Sequence, residues 1–196
     1  FNRTFTIDGH GSLVTRPTNT LVEALLQGGV KATDSNGILP LTIEGKLQGG
    51  DFNIDGSLGS QVLTGLLTAL PVTDKDSIIE VKQLKSTPYI DMTLDMVKQF
   101  GVEIENHNYE RFLVPGKQSY RAQEITVEGD WSGSAFLLVA GLITEKMTVF
   151  GLNLNSKQAD VAILEAIKKA GGKIDIKENE ITTQKSDLHA FEFDAT

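Results

Sequence analysis

Three segments of the chain share one pattern of hydrophobic and polar residues. Each is an amphipathic helix that ends at a glycine and continues as a strand: LVEALLQGGVKAT (21–33), TLDMVKQFGVEIE (93–105) and AILEAIKKAGGKIDI (162–176). The helix-ending glycines Gly29, Gly101 and Gly171 are separated by 72 residues (101 minus 29) and 70 residues (171 minus 101). Periods of this length indicate a duplicated supersecondary unit rather than a short solenoid repeat.

The repeated unit has the order βαβαββ, and one complete copy occupies residues 49–116. Its pattern predicts strands at 52–55, 78–84, 102–106 and 110–114, with helices at 60–70 and 89–100. The next copy is predicted to have strands at 124–128, 147–151, 173–177 and 180–184, with helices at 132–143 and 159–170. Residues 1–48 contain the latter part of a copy, with a strand at 4–8, a helix at 18–28 and two further strands. The segment AFEFDAT (190–196) supplies the first strand of another copy.

The predicted helices are of two kinds. The segments 62–70 and 135–143 carry almost no charge, which predicts helices that are buried on all sides. The later helix of each copy has charged residues on one face, which predicts partial exposure; these residues are Glu23, Asp95, Lys98, Glu165, Lys168 and Lys169. We therefore predict an α/β (α+β) fold of repeated βαβαββ units, with buried helices and outer sheets. Because the chain begins with Phe1 inside one repeat, we also expect it to be a piece of a longer protein.

Composition narrows the class of protein and of partner. The 196 residues are 40% hydrophobic and 22% charged, with a net charge of −8, which fits a globular core and argues against binding to nucleic acid or an acidic membrane. The sequence has no cysteine and three scattered histidines, His10, His107 and His189, so we expect no thiolate chemistry and no metal site. With no signal peptide and no membrane-spanning apolar run in the sequence, we expect a cytoplasmic protein.

Loops before helices are the first candidate sites. LVTRPT (13–18), LKSTPY (84–89) and LNSKQA (154–159) each precede a helix, where free backbone N–H groups and the helix dipole favour an anion. Arg16 followed by a proline would add a guanidinium to that geometry, although it could also be an ordinary solvated charge. Ser86 and Tyr89 could bind a ligand, or they could be a helix cap and a packing aromatic.

The junction between the first strand and the first helix of each repeat is the second candidate. DGSLGSQ (55–61) aligns with EGDWSGS (128–134). Small hydroxyl residues recur in both segments, so part of this pattern belongs to the scaffold. Gln61 does not recur, and a residue that differs between the copies is the better candidate for a functional role.

These segments resemble 5-enolpyruvylshikimate-3-phosphate synthases, the carboxyvinyl transferases of the shikimate pathway for chorismate and aromatic amino acid biosynthesis. The resemblance is carried by DGSLGSQVLTGLL, STPYIDMTLDMVKQFGVEIEN, VEGDWSGSAFLL and the Arg16–Pro17 loop. It implies an enolpyruvyl transferase-like fold with six βαβαββ units in two lobes around a cleft, incomplete in this chain. By that template, residues 1–128 are part of the first lobe (incomplete unit 1–48, complete unit 49–116, crossover 117–128), and residues 129–196 are part of the second.

The resemblance also implies a binding site for shikimate 3-phosphate. Four positions match those that contact its phosphate and ring in the family: Ser60, Gln61, Ser86 and Tyr89. Two positions depart from the family pattern, because Gly59 stands where the family has a serine and Thr87 stands where a lysine is common. One hydroxyl contact and one charge contact of the family are therefore in question here.

Two further residues have roles implied by the resemblance. Arg16 matches an arginine that binds phosphoenolpyruvate. Asp194 matches an aspartate that contacts the shikimate hydroxyls and is proposed to act as the general base on the 5-hydroxyl. From the residues alone, Asp194 only ends a strand, so its role depends on the resemblance.

The implied reaction joins the 5-hydroxyl of shikimate 3-phosphate to C2 of phosphoenolpyruvate, through a tetrahedral ketal, and then releases phosphate. It uses no cofactor, no metal and no covalent enzyme intermediate, and depends on positioning and electrostatic stabilisation in a closed cleft. Other catalytic motifs of the family fall outside this chain. We therefore expect the intact protein, a monomer, to be active and this chain alone to be inactive.

Two other functions remain open from the sequence. The related transferase that acts on UDP-N-acetylglucosamine shares the architecture, but it normally uses a loop cysteine, and the Ser-Gln and Ser-x-Pro-Tyr pair suits a small phosphorylated ring. A non-catalytic βαβαββ binding module would also fit the chain. A shikimate 3-phosphate binding measurement on the full-length protein separates the enzyme from the module.

Overall fold

The computed structural model describes residues 3–178 and 180–193. The chain divides between Gln123 and Glu124 into two units, which we call the first region (3–123) and the second region (124–178 and 180–193). The assignment of 1–128 and 129–196 to two lobes remains a prediction.

The first region begins with the partial repeat. Its elements are β1 (Thr4–Ile7), α1 (Asn19–Gln27), β2 (Lys31–Thr33) and β3 (Leu41–Glu44). The three strands form an antiparallel sheet in the order β1-β3-β2. Burial alternates along β3, so that Leu41 and Ile43 point to one face of the sheet and pack against Val22 of α1.

The first region continues with the complete repeat, in the predicted order βαβαββ. Its elements are β4 (Asp51–Asp55), α2 (Gln61–Ala69), β5 (Ser77–Lys82), α3 (Thr87–Gln99), β6 (Glu105–His107) and β7 (Arg111–Val114). They form a four-stranded sheet in the order β4-β5-β7-β6, in which β4 and β5 are parallel. Because parallel neighbours need a crossover, α2 connects them across one face of the sheet. The carboxyl ends of β4 and β5 therefore lie at the same edge.

The core of the complete repeat lies between this sheet and its helices. Phe52 of β4 and Ile79 of β5 are fully buried, and they share one cluster with Leu63 and Leu67 of α2 and Ile90 of α3. Full burial of one such side chain contributes about 1.5–3 kcal/mol. This packing fixes α2 and α3 on the sheet and thereby the positions of their first residues.

The second region contains the next repeat. Its elements are α4 (Trp131–Ile143), β8 (Lys146–Phe150), α5 (Ile163–Lys169), β9 (Lys173–Lys177) and β10 (Glu180–Gln184), with a 3-10 turn at Ala159–Ala162 before α5. The strands form an antiparallel sheet in the order β8-β10-β9. The same order occurs as β1-β3-β2 and as β5-β7-β6. One strand arrangement thus occurs three times in the described chain, as the periodicity predicted, and the full βαβαββ order forms in the complete repeat.

The strand predicted at 124–128 is not formed. Ile125 and Val127 alternate with polar residues as in a strand, but they are 39% and 83% exposed, so this alternation buries little apolar surface. Directly after this segment, the Gly129 N–H donates to the carbonyl oxygen of Gly151, the residue that follows β8, at 3.0 Å. The strand predicted at 190–196 is also absent from its described part, 190–193, and the rest of it lies outside the described residues.

The prediction that the two uncharged helices are buried on all sides is wrong for this chain. In α4, Trp131 and Leu138 are fully buried, while Phe136 and Ile143 are 78% and 63% exposed. In α2, the residues facing the core are buried, but Thr68 is exposed. A helix that is apolar on every face can bury only the faces that its neighbours cover, and here the sheet covers one of them.

Candidate functional site

The starts of α2 and α3 open onto one cavity of about 1000 Å³. Ser60 and Gln61 line it from the start of α2, and Ser86 and Tyr89 line it from the start of α3. One turn further along, the hydroxyls of Thr64 and Thr93 are hydrogen-bonded at 3.3 Å, which joins the two helices. Four residues predicted from the sequence to bind one ligand therefore share one cavity.

Backbone hydrogen bonds explain why these two helix starts lie together. The Gly56 N–H donates to the Lys82 carbonyl oxygen at 2.8 Å, and the Lys85 N–H donates to the Gly56 carbonyl oxygen at 3.3 Å. The loops that follow β4 and β5 are thus joined at Gly56. A Cβ atom at this position would lie 2.7 Å from the Leu84 Cα, so only glycine permits this approach.

A carboxylate orders the loop that leads into α2. Asp55 ends β4, and its Oδ1 accepts the Ser57 N–H at 2.9 Å. Hydrogen bonds from the side chain and backbone of Ser57, and the nearby charge of Lys85, lower the pKa of Asp55. The loop is therefore fixed by local contacts before the chain reaches Ser60.

Ser60 occupies the N-cap position of α2, but its side chain does not cap the helix. The residue is 7% exposed and lines the cavity. Gln61 begins the helix and is exposed. Gly59, one residue earlier, has a φ of +127°, and a Cβ atom there would lie 2.6 Å from the Gln61 Oε1. Glycine at 59 thus allows the position that the Gln61 side chain takes.

Ser86 occupies the N-cap position of α3 with a left-handed backbone, φ +61° and ψ +45°. Its side chain does not cap α3 either. Such a conformation is uncommon for a residue other than glycine and is often found at functional sites. Three residues later, the Tyr89 side chain borders the cavity, and the Tyr89 carbonyl oxygen accepts the Thr93 hydroxyl at 2.8 Å.

The arrangement is suited to a small anion attached to a ring. Neither N-cap hydroxyl competes for the first N–H groups of its helix, so those groups and the two positive helix ends can attract an anion. Among the described residues that line the cavity, none is a lysine or an arginine. Away from the helix starts the wall combines three threonines with apolar and aromatic side chains, which are Thr64, Thr68, Thr93, Met92, Met96, Val97, Phe100 and Tyr120. Gly59 is not among the described residues that line the cavity.

Arg16 lies in the partial repeat rather than in this cavity. It follows a 3-10 turn, Gly11–Thr15, and is exposed, with its N–H donating to the Leu13 carbonyl oxygen at 3.2 Å. Its backbone is extended, as is usual before a proline. The structure therefore groups four of the six predicted site residues and places Arg16 on a separate loop. Asp194 lies outside the described residues.

The segment before α4 in the second region corresponds to the one before α2. Here two carboxylates of the chain accept the nearby hydrogen bonds. Asp130 caps α4 by accepting the N–H groups of Ser132 and Gly133, both at 3.0 Å. Glu128 accepts hydrogen bonds from Gln158, Ser156 and Asn153 of the loop before the 3-10 turn. These bonds, with that from Gln158 the largest contribution, lower the pKa of Glu128.

Sequence reasoning missed this network. Only the hydroxyl residues of EGDWSGS were compared with those of DGSLGSQ, although an aspartate directly before an apolar helix is a favoured N-cap. That signal could have identified Asp130 as a cap, and the cap is the feature by which the two junctions differ. The first junction leaves its helix start uncapped by a side chain, and the second does not.

No helix of the described part is both long enough and apolar enough to cross a membrane. Within 3–178 and 180–193, no group of three or more histidine, aspartate or glutamate side chains is arranged to hold a metal ion.

Comparison with known proteins gives one consistent result. The family model described as EPSP synthase (3-phosphoshikimate 1-carboxyvinyltransferase) matches residues 2–195. The chain is 40% identical over 192 residues to the 3-phosphoshikimate 1-carboxyvinyltransferase of Clostridium novyi, covering 97% of this chain and 44% of that protein. It is 42% identical over 193 residues to the protein of the same name from Mannheimia succiniciproducens, covering 96% and 45%.

Solved structures show the same fold. The EPSP synthase of Acinetobacter baumannii superposes with a TM-score of 0.72 at 20% identity, over 98% of this chain and 45% of that one. The enolpyruvyl transferase NikO of Streptomyces tendae superposes with a TM-score of 0.68 at 16% identity, over 93% and 44%. The chain thus spans less than half the length of these relatives. Because the family model matches nearly all of its residues, the chain belongs to the EPSP synthase family.

Proposed function

We propose that the full-length protein transfers the enolpyruvyl group of phosphoenolpyruvate to the 5-hydroxyl of shikimate 3-phosphate and releases phosphate. The observation that carries this proposal is the shared cavity, where Ser60 and Gln61 of α2 meet Ser86 and Tyr89 of α3. The names of the relatives from Clostridium novyi and Mannheimia succiniciproducens support it.

In this proposal the cavity binds shikimate 3-phosphate. The phosphate lies at the two helix starts, where N–H groups and the hydroxyls of Ser60 and Ser86 donate hydrogen bonds to it. Gln61 and Tyr89 border the ring. A lysine is not required, because two positive helix ends and several donors supply the attraction.

Phosphoenolpyruvate binds next to Arg16, whose guanidinium is suited to an anionic ligand. Asp194 is proposed as the base that takes the proton of the 5-hydroxyl. The hydroxyl oxygen forms a bond to C2 of phosphoenolpyruvate while C3 gains a proton, which gives a tetrahedral ketal. The ketal then loses phosphate from C2 and a proton from C3, and the vinyl double bond is restored. The protein contributes position and electrostatic stabilisation.

Phosphate release by the full-length protein tests the proposal. We expect release from phosphoenolpyruvate only when shikimate 3-phosphate is present, and none by the 196-residue chain alone. Release that depends on UDP-N-acetylglucosamine instead would favour the related transferase. Binding of shikimate 3-phosphate without turnover would favour a non-catalytic module. The cytoplasmic location and monomeric state remain expectations.

A further inference from the structure

The loop that carries Arg16 is held by a residue far away in the sequence. Thr18 is 8% exposed and occupies the N-cap position of α1, but its side chain does not cap that helix. Its hydroxyl donates instead to the Asp34 Oδ2. Asp34 is the first residue after β2, and β2 is paired with β3, so this bond ties the start of α1 to the sheet of the partial repeat.

Two hydrogen bonds donated by backbone N–H groups close the link. The Thr18 N–H donates to the Gly37 carbonyl oxygen at 2.8 Å. The Gly37 N–H donates to the Asp34 Oδ1 at 2.9 Å. The Asp34 carboxylate therefore uses one oxygen to fix the turn that it begins and the other to fix Thr18. Removal of this carboxylate removes the hydrogen bonds that it accepts from the Thr18 hydroxyl and from the Gly37 N–H.

The link fixes the backbone position from which the Arg16 side chain extends. Only Pro17 separates Arg16 from Thr18, and proline has a fixed φ, so little freedom remains between the anchored residue and Arg16. On its other side, the Arg16 N–H is bonded to the 3-10 turn. The backbone of Arg16 is thus held from both directions, while its side chain remains exposed.

We infer that Asp34, acting through Thr18, is the positioning residue for Arg16 in the binding of phosphoenolpyruvate. This inference rests on the proposed function, because it requires that Arg16 binds that substrate. Asp34 itself contacts no substrate in this account. Hydrogen bonds from Thr18 and Gly37 lower the pKa of Asp34, which is consistent with a carboxylate that remains charged while it holds the loop.

Steady-state kinetics of the full-length protein test the inference. Arg16→Ala is the reference and should raise the KM for phosphoenolpyruvate. Asp34→Ala and Thr18→Val should each raise the same KM about tenfold, as expected for loss of a hydrogen bond to a charged group, and leave the KM for shikimate 3-phosphate within about twofold. The double variant should have the same KM for phosphoenolpyruvate as Asp34→Ala alone, because Thr18→Val removes a bond that Asp34→Ala has already broken.

Two matched variants control for charge and for shape. Asp8→Ala also removes a carboxylate from the partial repeat, but Asp8 accepts a hydrogen bond from its own neighbour Gly9, so the KM for phosphoenolpyruvate should not change. Thr18→Ser keeps the hydroxyl, so its KM for phosphoenolpyruvate should stay at the wild-type value, unlike that of Thr18→Val. Far-UV circular dichroism checks the fold of each variant, and the pair at Thr18 decides the matter if Asp34→Ala does not fold.

The outcomes separate the inference from the proposed function. If Arg16→Ala raises the KM for phosphoenolpyruvate while folded Asp34→Ala and Thr18→Val do not, the positioning role is overturned and the function stands. Equal increases in both KM values for the Asp34 and Thr18 variants also overturn it. If Arg16→Ala itself has no effect on phosphoenolpyruvate, the assigned role of Arg16 fails, and the inference fails with it.

Discussion

Gly56 and Leu84 approach so closely that a side chain on Gly56 would overlap the Leu84 backbone, since an added Cβ atom would lie 2.7 Å from the Leu84 Cα. This contact joins the loop after β4 to the loop after β5. The two loops lead to Ser60 and Ser86, so the shared cavity depends on this approach. Parallel pairing of β4 with β5 brings the loops to one edge, and Gly56 allows them to meet.

The Gly56 contact can be tested by one added methyl group. We expect Gly56→Ala to destabilise the full-length protein by about 1–3 kcal/mol, because backbone atoms must move to accept the Cβ. Affinity for shikimate 3-phosphate should fall as well. Urea unfolding and calorimetric titration measure the two effects. Gly65→Ala is the control, since a Cβ atom there meets nothing within 4 Å in this chain; a Gly56→Ala protein as stable as this control would contradict the account.

The family's serine should not be tolerated at position 59. Gly59 has a φ of +127°, and its added Cβ atom would lie 2.6 Å from the Gln61 Oε1. We expect Gly59→Ser to weaken shikimate 3-phosphate binding, because backbone strain and displacement of Gln61 outweigh one new hydroxyl contact. Calorimetric titration measures the affinity, and Gly59→Ala separates the strain from the hydroxyl. Tighter binding by Gly59→Ser would show that the loop adapts.

The carboxylate network of the second region predicts a pH dependence of stability. Hydrogen bonds from Gln158, Ser156 and Asn153 lower the pKa of Glu128 below its ordinary value of 4.5. The folded pKa is thus below the unfolded one, so this stabilisation is complete above about pH 4.5 and is lost as the pH falls through the folded pKa.

Glu128→Gln should remove that part of the pH dependence. We expect the free energy of unfolding of the full-length protein to fall less steeply below about pH 4.5 in this variant than in the wild type, and urea unfolding at a series of pH values measures it. Glu124→Gln, a change at an exposed residue nearby, should keep the wild-type slope. Identical slopes for wild type and Glu128→Gln would mean that the network does not contribute to stability.

Local pattern and periodicity were enough to predict much of the fold. The grouping of Ser60 with Ser86 was implied by the resemblance to the family. The order βαβαββ and the helices that became α2 and α3 follow from apolar spacing and from the repetition of one unit. These features depend on residues near one another in sequence, or on the repetition of one unit. They could therefore be predicted before any coordinates were available.

Features that depend on distant contacts were not predicted. The alternation at 124–128 is typical of a strand, but sequence does not show that Val127 remains 83% exposed. The exposure of Phe136 on α4 depends on what covers the helix, and the helix pattern carries no information on that. The bond from Thr18 to Asp34 joins residues 16 apart, and Asp34 lies outside the motifs found in the sequence. The left-handed backbone of Ser86 likewise could not be predicted from its residue type.

The central claim is that the starts of α2 and α3 bind one phosphate group together. Calorimetric titration of the full-length protein with shikimate 3-phosphate and with shikimate, which lacks the phosphate, tests it most directly. Ser60→Ala and Ser86→Ala should each weaken shikimate 3-phosphate binding about tenfold, because each removes a hydrogen bond to a charged group, and should leave shikimate binding almost unchanged. Ser132→Ala, at the equivalent junction of the second region, should change neither. Equal losses for both ligands, or no loss for shikimate 3-phosphate, would contradict the account.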